Sequence, residues 1–219
     1  MPAPAALGLD LAVTGVTAVL LDAGGAVLAT PQAAPLATRT AQGPAGPAEV
    51  LGLDAVWRAV DEAGRAVLAG RTAASPLPTG VAVAAEVWCC WDAETLGSPL
   101  PALTGGVGPA WWAADAPRTW EEVAAERYVL GDLGSWLLAR ATRGVEHLTT
   151  TALARRPADV PVEALPEEAP AVTVLTDAPA LLGTALRVGA LLDRSALDGG
   201  AGEEPAVAAA RVVLPGPRG

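Results

Sequence analysis

The sequence predicts an α/β domain whose sheet begins with an antiparallel meander. Three short apolar runs open the chain, an amphipathic stretch follows, and a late apolar run ends at an acid. This order of strand and helix patterns favours a mixed sheet flanked by helices. With 219 residues, of which 52% are hydrophobic, the chain can bury a sizeable core instead of remaining disordered.

The first half of the chain is predicted to contain a meander, a loop, a helix and two more strands. Asp22–Gly25 supplies turn residues between the second and third strands. The helix is predicted because Val56, Val60 and Val67 recur on one helical face. In order, we expect strands at 7–10, 16–22 and 26–29, a loop at 31–48, a helix at 53–69, and strands at 81–83 and 87–91.

The second half alternates between loops and apolar stretches. Glycine and proline predict a loop at 96–110, and helical spacing follows it. Residues 171–175 form a buried-strand pattern that ends at Asp177. We expect one or two helices at 119–142 broken near Gly131 or Gly134, the strand at 171–175, a helix at 178–193, and a loose tail from residue 198.

Charge and cysteine usage exclude several classes of protein. The net charge of −10 repels nucleic-acid backbones and anionic membranes. Cys89 and Cys90 are the only cysteines, and neighbouring cysteines rarely form a disulfide, which favours a reducing cytoplasm. The N-terminus has no signal-like pattern, and glycine and proline interrupt the uncharged stretch at 95–114, so no membrane helix is expected.

Asp10 and the turn after it form the most informative segment. Asp10 ends an apolar strand, and small residues lead through Thr14 and Gly15 into a second strand. Backbone N–H groups of such a turn can surround a phosphate, and the carboxylate can hold Mg²⁺. The alternative is an ordinary hairpin turn with an incidental acid. The segment resembles the first phosphate loop, D-x-G-T-T, of actin-like sugar kinases, with Ala12 and Val13 at the positions of its glycine and first threonine.

Later segments resemble the FGGY carbohydrate kinases, with the glycerol kinase branch the most similar. The strongest match covers residues 129–149, which are similar to F-G-T-I-D-S-W-L-L-x-K-L-T-G-G-x-x-H-x-T-D. Residues 91–100 resemble W-D-x-x-T-G-x-P-L, residues 161–167 resemble I-P-x-x-x-L-P-E, and residues 177–183 resemble D-Q-Q-A-A-L-F-G. All segments follow the family order, so their collinearity carries the resemblance.

The resemblance implies a ribonuclease H-like, actin-like fold. It covers residues 7–185, and a family member is roughly twice as long as this chain. We therefore predict an FGGY-kinase N-terminal-like domain at 1–185. Residues 186–219 are predicted to be a helix end and a loose tail, without a complete ATP-binding domain.

The resemblance also implies roles for individual residues. Asp177 falls at the family's general base, although an acid before Pro179 can equally be a helix cap. Glu86 falls at the acid of the N-Q-R-E substrate motif, whose other positions hold Val83, Ala84 and Ala85, and a lone carboxylate on a strand is commonly a surface acid. A loose echo of W-x-D-x-R-T adds the substrate-binding candidates Asp115 and Arg118.

Two functional hypotheses follow from the resemblance. The first is an ATP- and Mg²⁺-dependent kinase of a small polyol or sugar, with a homo-oligomer or a partner supplying the ATP-binding domain. The second is an inactive remnant that binds a polyol or another protein, and a fragment without function is a third interpretation. The lone His147, the paired tryptophans and the cysteines are interpreted as structural, since no zinc-ligand spacing or catalytic triad is present in the sequence.

Overall fold

The computed structural model describes residues 5–73, 75, 78–85, 87–104, 109–150, 167–169, 176–177, 181–182, 187–193, 205–212 and 214. The strands are β1 (Ala5–Ala12), β2 (Gly15–Leu21), β3 (Val27–Pro35), β4 (Arg39–Gly43), β5 (Gly46–Leu51), β6 (Pro78–Ala85), β7 (Trp88–Asp92), β8 (Ala102–Leu103), β9 (Tyr128–Asp132), β10 (Leu148–Thr150), β11 (Glu167–Ala169), β12 (Thr176–Asp177) and β13 (Arg187–Asp193). The helices are α1 (Leu53–Ala69), α2 (Ala110–Asp115), α3 (Pro117–Ala124), α4 (Leu133–Ala141) and α5 (Pro205–Val212).

The main sheet has the strand order β12-β13-β6-β1-β2-β3. Strands β1 to β3 form the predicted antiparallel meander. Strands β6 and β13 run parallel to β1, so the carboxyl ends of all three strands lie at one edge of the sheet. This mixed sheet confirms the predicted α/β class.

Two helices cover opposite faces of this sheet because β1 alternates its side chains between them. Leu7, Leu9 and Leu11 belong to the core beneath α1. Ala6 lies on the other face with Ala206 and Ala210 of α5. Side chains two residues apart on a strand share a face, so a run that is apolar throughout is typical of a strand buried on both sides.

A second sheet, with the order β4-β5-β8-β7-β9, holds its own core. On β7, Cys89 and Trp91 pack with the core of the main sheet, whereas Trp88 and Cys90 pack beneath α2 and α3. Strand β7 therefore separates two apolar cores. Both cysteines are buried, whereas their apolar strand predicts burial of at least one. Within the described ranges, no helix is long and apolar enough to cross a membrane.

Several predicted elements were wrong. The loop at 31–48 contains the end of β3, all of β4 and the first part of β5, and the predicted helical stretch at 119–142 contains strand β9. The predicted helix at 178–193 was wrong over Arg187–Asp193, which is strand β13. Short apolar runs fit either a buried strand or a helix, and pairing with β6 decides in favour of the strand here.

The last described strand and helix are part of the main sheet and its packing. Strand β13 and helix α5 lie beyond the predicted boundary at residue 185, yet β13 pairs with β6 and α5 packs on β1 and β2. A helix at 205–212 was not predicted in the tail. The predicted strand at 171–175 lies outside the described residues.

Burial predicts how the two thiols respond to pH. It raises the pKa of Cys90 to about 12, and it raises that of Cys89 well above its usual value, with further contributions from Asp132 and Cys90. An unfolded thiol ionises near pH 9, so the unfolded state loses protons first and stability falls as pH rises from about 9 towards 12. Urea titrations at pH 7, 9 and 10.5 will measure this loss, and Cys90→Ala will reduce it to the part that Cys89 contributes. Native thiols that react with a disulfide reagent at pH 8 as fast as unfolded ones would contradict it.

Candidate functional site

Asp10 lies two residues before the end of β1 and is buried, with 5% of its surface exposed. Its register partners are Thr17 on β2 and Ala84 on β6. Side chains at alternate positions of a strand share a face, so Asp10 lies on the same face as Ala6 and Gly8. That is the face of the sheet that α5 covers. The sheet thus brings a carboxylate and the Thr17 hydroxyl group together near the end of β1.

A tight turn at Val13 and Thr14 joins β1 to β2. Thr14 is exposed, and its carbonyl oxygen accepts a hydrogen bond from the Leu36 backbone N–H at 3.0 Å. A Cβ atom on Gly15 would lie 2.8 Å from the carbonyl oxygen of Ala34, so β3 approaches this turn too closely for a larger residue. The glycine is therefore required by strand packing, whether or not the turn binds phosphate.

Asp10, Thr14, Gly15 and Thr17 line one cavity of about 430 Å³. Pro205, the first residue of α5, also lines it. The amino end of a helix carries partial positive charge and favours anions. The structure therefore brings three predicted site residues together beside a helix start that the sequence analysis missed.

Thr17 and the start of α5 were both missed by the sequence analysis, but only Thr17 could have been found from the sequence. A turn at 13–14 pairs residue 12 with residue 15, and residue 10 with residue 17, so Thr17 was accessible from the hairpin register. The position of α5 was not, because it depends on packing between residues about 200 positions apart.

Mg²⁺ fits the chemistry of this cavity as an ion bound together with phosphate. In the part of the chain that the structure describes, no three acidic, histidine or cysteine side chains are grouped so that they could hold a metal ion by themselves. Mg²⁺ is commonly held by one or two carboxylates, with substrate phosphates and water completing its coordination. Asp10 would supply the carboxylate.

The structure does not bring Asp177 to this cavity. Asp177 on β12 pairs with Arg187 on β13. Across the next two strands, the register runs from Arg187 to Gly80 on β6 and from Gly80 to Ala6 on β1. Asp177 is therefore three strands away from Asp10 and level with Ala6. At about 3.3 Å per residue and 4.8 Å per strand, the two Cα atoms are roughly 20 Å apart.

The three substrate-binding candidates are also separate from the Asp10 cavity or outside the described residues. Asp115 ends α2 beside the β4–β5 hairpin, where a Cβ atom on Gly43 would lie 2.4 Å from its Oδ1 atom. Arg118 is exposed on α3. Neither lines the cavity, and Glu86 lies outside the described residues.

His147 has a structural contact, as interpreted from the sequence. The indole Nε1–H of Trp91 donates a hydrogen bond to its Nδ1 atom at 3.4 Å, and the two rings stack with centroids 6.3 Å apart. An accepting Nδ1 atom places the proton of the neutral ring on Nε2.

Comparison with known proteins identifies the fold. Neither protein-family models nor curated proteins give a match to this sequence. Among solved structures, xylulose kinase from Rhodospirillum rubrum aligns with a TM-score of 0.71 and 15% identity over 87% of this chain and 49% of its own. Glycerol kinase from Plasmodium falciparum, solved with ADP, aligns with a TM-score of 0.65 and 11% identity over 89% of this chain and 49% of its own.

Gluconate kinase from Lactobacillus acidophilus gives a TM-score of 0.60 at 12% identity, over 86% of this chain and 48% of its own. The chain thus spans about half the length of the solved structures it matches. These similarities agree with the resemblance drawn from the sequence motifs. The chain has the actin-like fold of the FGGY carbohydrate kinases, over about half of their length.

Proposed function

We propose that this chain acts as the substrate-side half of a carbohydrate kinase similar to glycerol kinase. It would transfer the γ-phosphoryl group of ATP to a hydroxyl group of a small polyol or sugar, in the cytoplasm. The observation that carries the proposal is the buried Asp10 in a cavity with Thr14, Gly15 and Thr17, on a kinase fold. Phosphoryl transfer relies on positioning and charge neutralisation, which such a cavity can supply.

Each residue of the cavity has a distinct proposed role. Asp10 holds Mg²⁺, and when bound this ion neutralises charge on the phosphates. The hydroxyl groups of Thr14 and Thr17 donate hydrogen bonds to phosphate oxygens, and the amino end of α5 adds a favourable dipole. Asp177 remains the proposed base, and Glu86, Asp115 and Arg118 the proposed substrate ligands. A partner subunit or another copy would supply the adenosine site.

A non-catalytic module that binds a polyol or another protein is the second candidate. The separation of about 20 Å between Asp10 and Asp177 favours it, because a base must lie within hydrogen-bonding reach of the hydroxyl group that attacks the phosphate. Alanine at positions 84 and 85, where the family has glutamine and arginine, also favours it, since planar and charged partners for substrate hydroxyls are lost.

Calorimetric titration with Mg·ATP tests the cavity directly. We expect saturable binding, and we expect Asp10→Asn to weaken it at least tenfold because the carboxylate that holds Mg²⁺ loses its charge. Asp61→Asn is the matched control, since Asp61 lies on α1 and pairs only with Arg65 among the interactions described. Equal affinity of Asp10→Asn and the unaltered protein would contradict the assignment.

Turnover in the presence of glycerol separates the two candidate functions. Phosphorylation of glycerol that Asp177→Asn abolishes would support the kinase with Asp177 as its base. Saturable heat with glycerol but no turnover would support the binding module. If Asp177→Asn leaves turnover unchanged, Asp177 is not the base, but the proposed kinase activity stands.

A further inference from the structure

A second cavity, of about 500 Å³, lies where the start of α1, the segment at 97–101 and helix α4 meet. It shares no lining residue with the Asp10 cavity. Its volume is within the range of small-molecule sites in proteins. The proposed phosphoryl transfer makes no use of this cavity.

The cavity carries positive charge in an acidic protein. Arg39 and Arg140 line it, and Asp54 is the only acid among its described lining residues. Arg39 is exposed on β4 at the opening. With a net charge of −10 for the whole chain, two guanidinium groups at one cavity form a local site for an anion.

Arg140 lines the cavity and is held in position by two aromatic rings. Its guanidinium carbon lies 4.9 Å from the ring centroid of Trp57 and 5.4 Å from that of Trp136. Cation–π contacts of this length fix the planar group. The Oδ1 atom of Asp54 lies 3.7 Å from the Nη1 atom of Arg140, which is too long for a charge-assisted hydrogen bond. The Asp54 side chain is also 90% exposed, so solvent screens its charge. Asp54 therefore neutralises Arg140 only weakly.

One residue that lines the cavity carries a buried indole N–H group that lacks an acceptor among the described residues. Trp136 lines the cavity and is fully buried, and its Nε1 atom has no hydrogen-bond partner among the described residues. A buried donor without a partner is unfavourable, and most such groups in folded proteins are satisfied.

The start of α1 adds a third attraction for an anion. Gly52 caps this 17-residue helix without a side-chain hydrogen bond, and Gly52 and Leu53 both line the cavity. The helix dipole favours negative charge at this end. Two guanidinium groups, from β4 and α4, and the start of α1 thus line one space.

We propose that this cavity binds the phosphate group of a small phosphorylated metabolite. A phosphate offers three acceptor oxygens in different directions, which suits donors on β4, on α4 and at the start of α1, whereas a planar carboxylate matches a single guanidinium fork. The volume that remains accommodates an organic group esterified to the phosphate. The site is independent of the Asp10 cavity and of any kinase activity.

Tryptophan fluorescence during titration with inorganic phosphate at constant ionic strength tests the proposal. We expect a saturable change because Trp136 lines the cavity and Trp57 contacts Arg140, with the dissociation constant raised at least tenfold in Arg140→Gln and at least threefold in Arg39→Gln. Phenyl phosphate, titrated in parallel, distinguishes the source: tighter binding than inorganic phosphate assigns the site to an ester, and the reverse assigns it to free phosphate.

Two control variants make the result specific. Arg65→Gln removes an exposed arginine about 16 Å along α1 from Asp54 and is expected to bind phosphate unchanged. Asp10→Asn is also expected to bind it unchanged, which separates this site from the proposed kinase site. Unaltered affinity in both Arg39→Gln and Arg140→Gln, or loss of the fluorescence change in Asp10→Asn, would overturn the proposal. Because Arg39 is exposed, its variant decides the question if Arg140→Gln does not fold.

Discussion

Gly8→Ala is expected to destabilise the protein by about 3 kcal/mol, through a backbone clash with α5. A Cβ atom at position 8 would lie 1.9 Å from the carbonyl oxygen of Ala206 and 2.9 Å from the Cβ atom of Ala210. Neither neighbour is the flexible end of a side chain, so helix α5 must move away from the sheet. Movement of α5 also exposes the small core formed with Ala6 and Val19.

Urea denaturation will measure this loss of stability, and the rate of tryptic cleavage after Arg211 will report on undocking of α5. Gly52→Ala is the matched control, because a Cβ atom at position 52 would have no other atom within 4 Å and the φ of −78° there suits any residue. Since Pro205 of α5 lines the Asp10 cavity, Gly8→Ala is also expected to weaken Mg·ATP binding. Equal urea midpoints for the two glycine variants would contradict the clash.

Trp91→Ala is expected to cost about 4 kcal/mol, since removal of a large buried aromatic side chain leaves a cavity that its surroundings fill only in part. Trp91 is fully buried on β7, the strand between the two cores. A Cβ atom on Gly131 would lie 2.7 Å from its ring, which shows how closely β9 packs against it. The substitution also removes the hydrogen bond to His147.

The free energy of unfolding in urea will measure this effect. Trp120→Ala is the control, because Trp120 lies partly exposed at the edge of the second core and is expected to cost less than half as much. A cost below about 1.5 kcal/mol for Trp91→Ala would indicate that the site collapses freely, contrary to the close packing of β7 and β9.

Local patterns in the sequence were sufficient for the elements that are defined within one stretch of chain. The helix at 53–69 was predicted at its observed bounds because its apolar residues recur at helical spacing. The opening meander was predicted because its turns carry glycine and aspartate, and Asp22 indeed accepts hydrogen bonds from the N–H groups of Gly24 and Ala26. The collinear motifs led from these elements to the kinase fold.

Elements that depend on distant partners were not accessible in this way. Strand β5 pairs with Ala102 and Leu103, about 50 residues later, and β13 pairs with β6, about 107 residues earlier. A short apolar run does not indicate which distant strand it will pair with. The stretches at 119–142 and 178–193 were therefore mispredicted where a strand is stabilised by non-local hydrogen bonds. At 31–48 the strands pair with near neighbours in the sequence, and there the glycine and proline content favoured a loop.

The candidate site shows the same division. Local patterns were enough to predict that Asp10 lies near the end of a strand and that a tight turn follows it, and the collinear motifs were enough to predict the kinase fold. The register of that hairpin also places Thr17 opposite Asp10. The position of the start of α5 beside Asp10, and that of Asp177 three strands away, follow only from tertiary packing. It also placed Arg39 and Arg140 at one cavity. Strand register and helix docking fix these distances, and both arise from pairings between residues far apart in the chain.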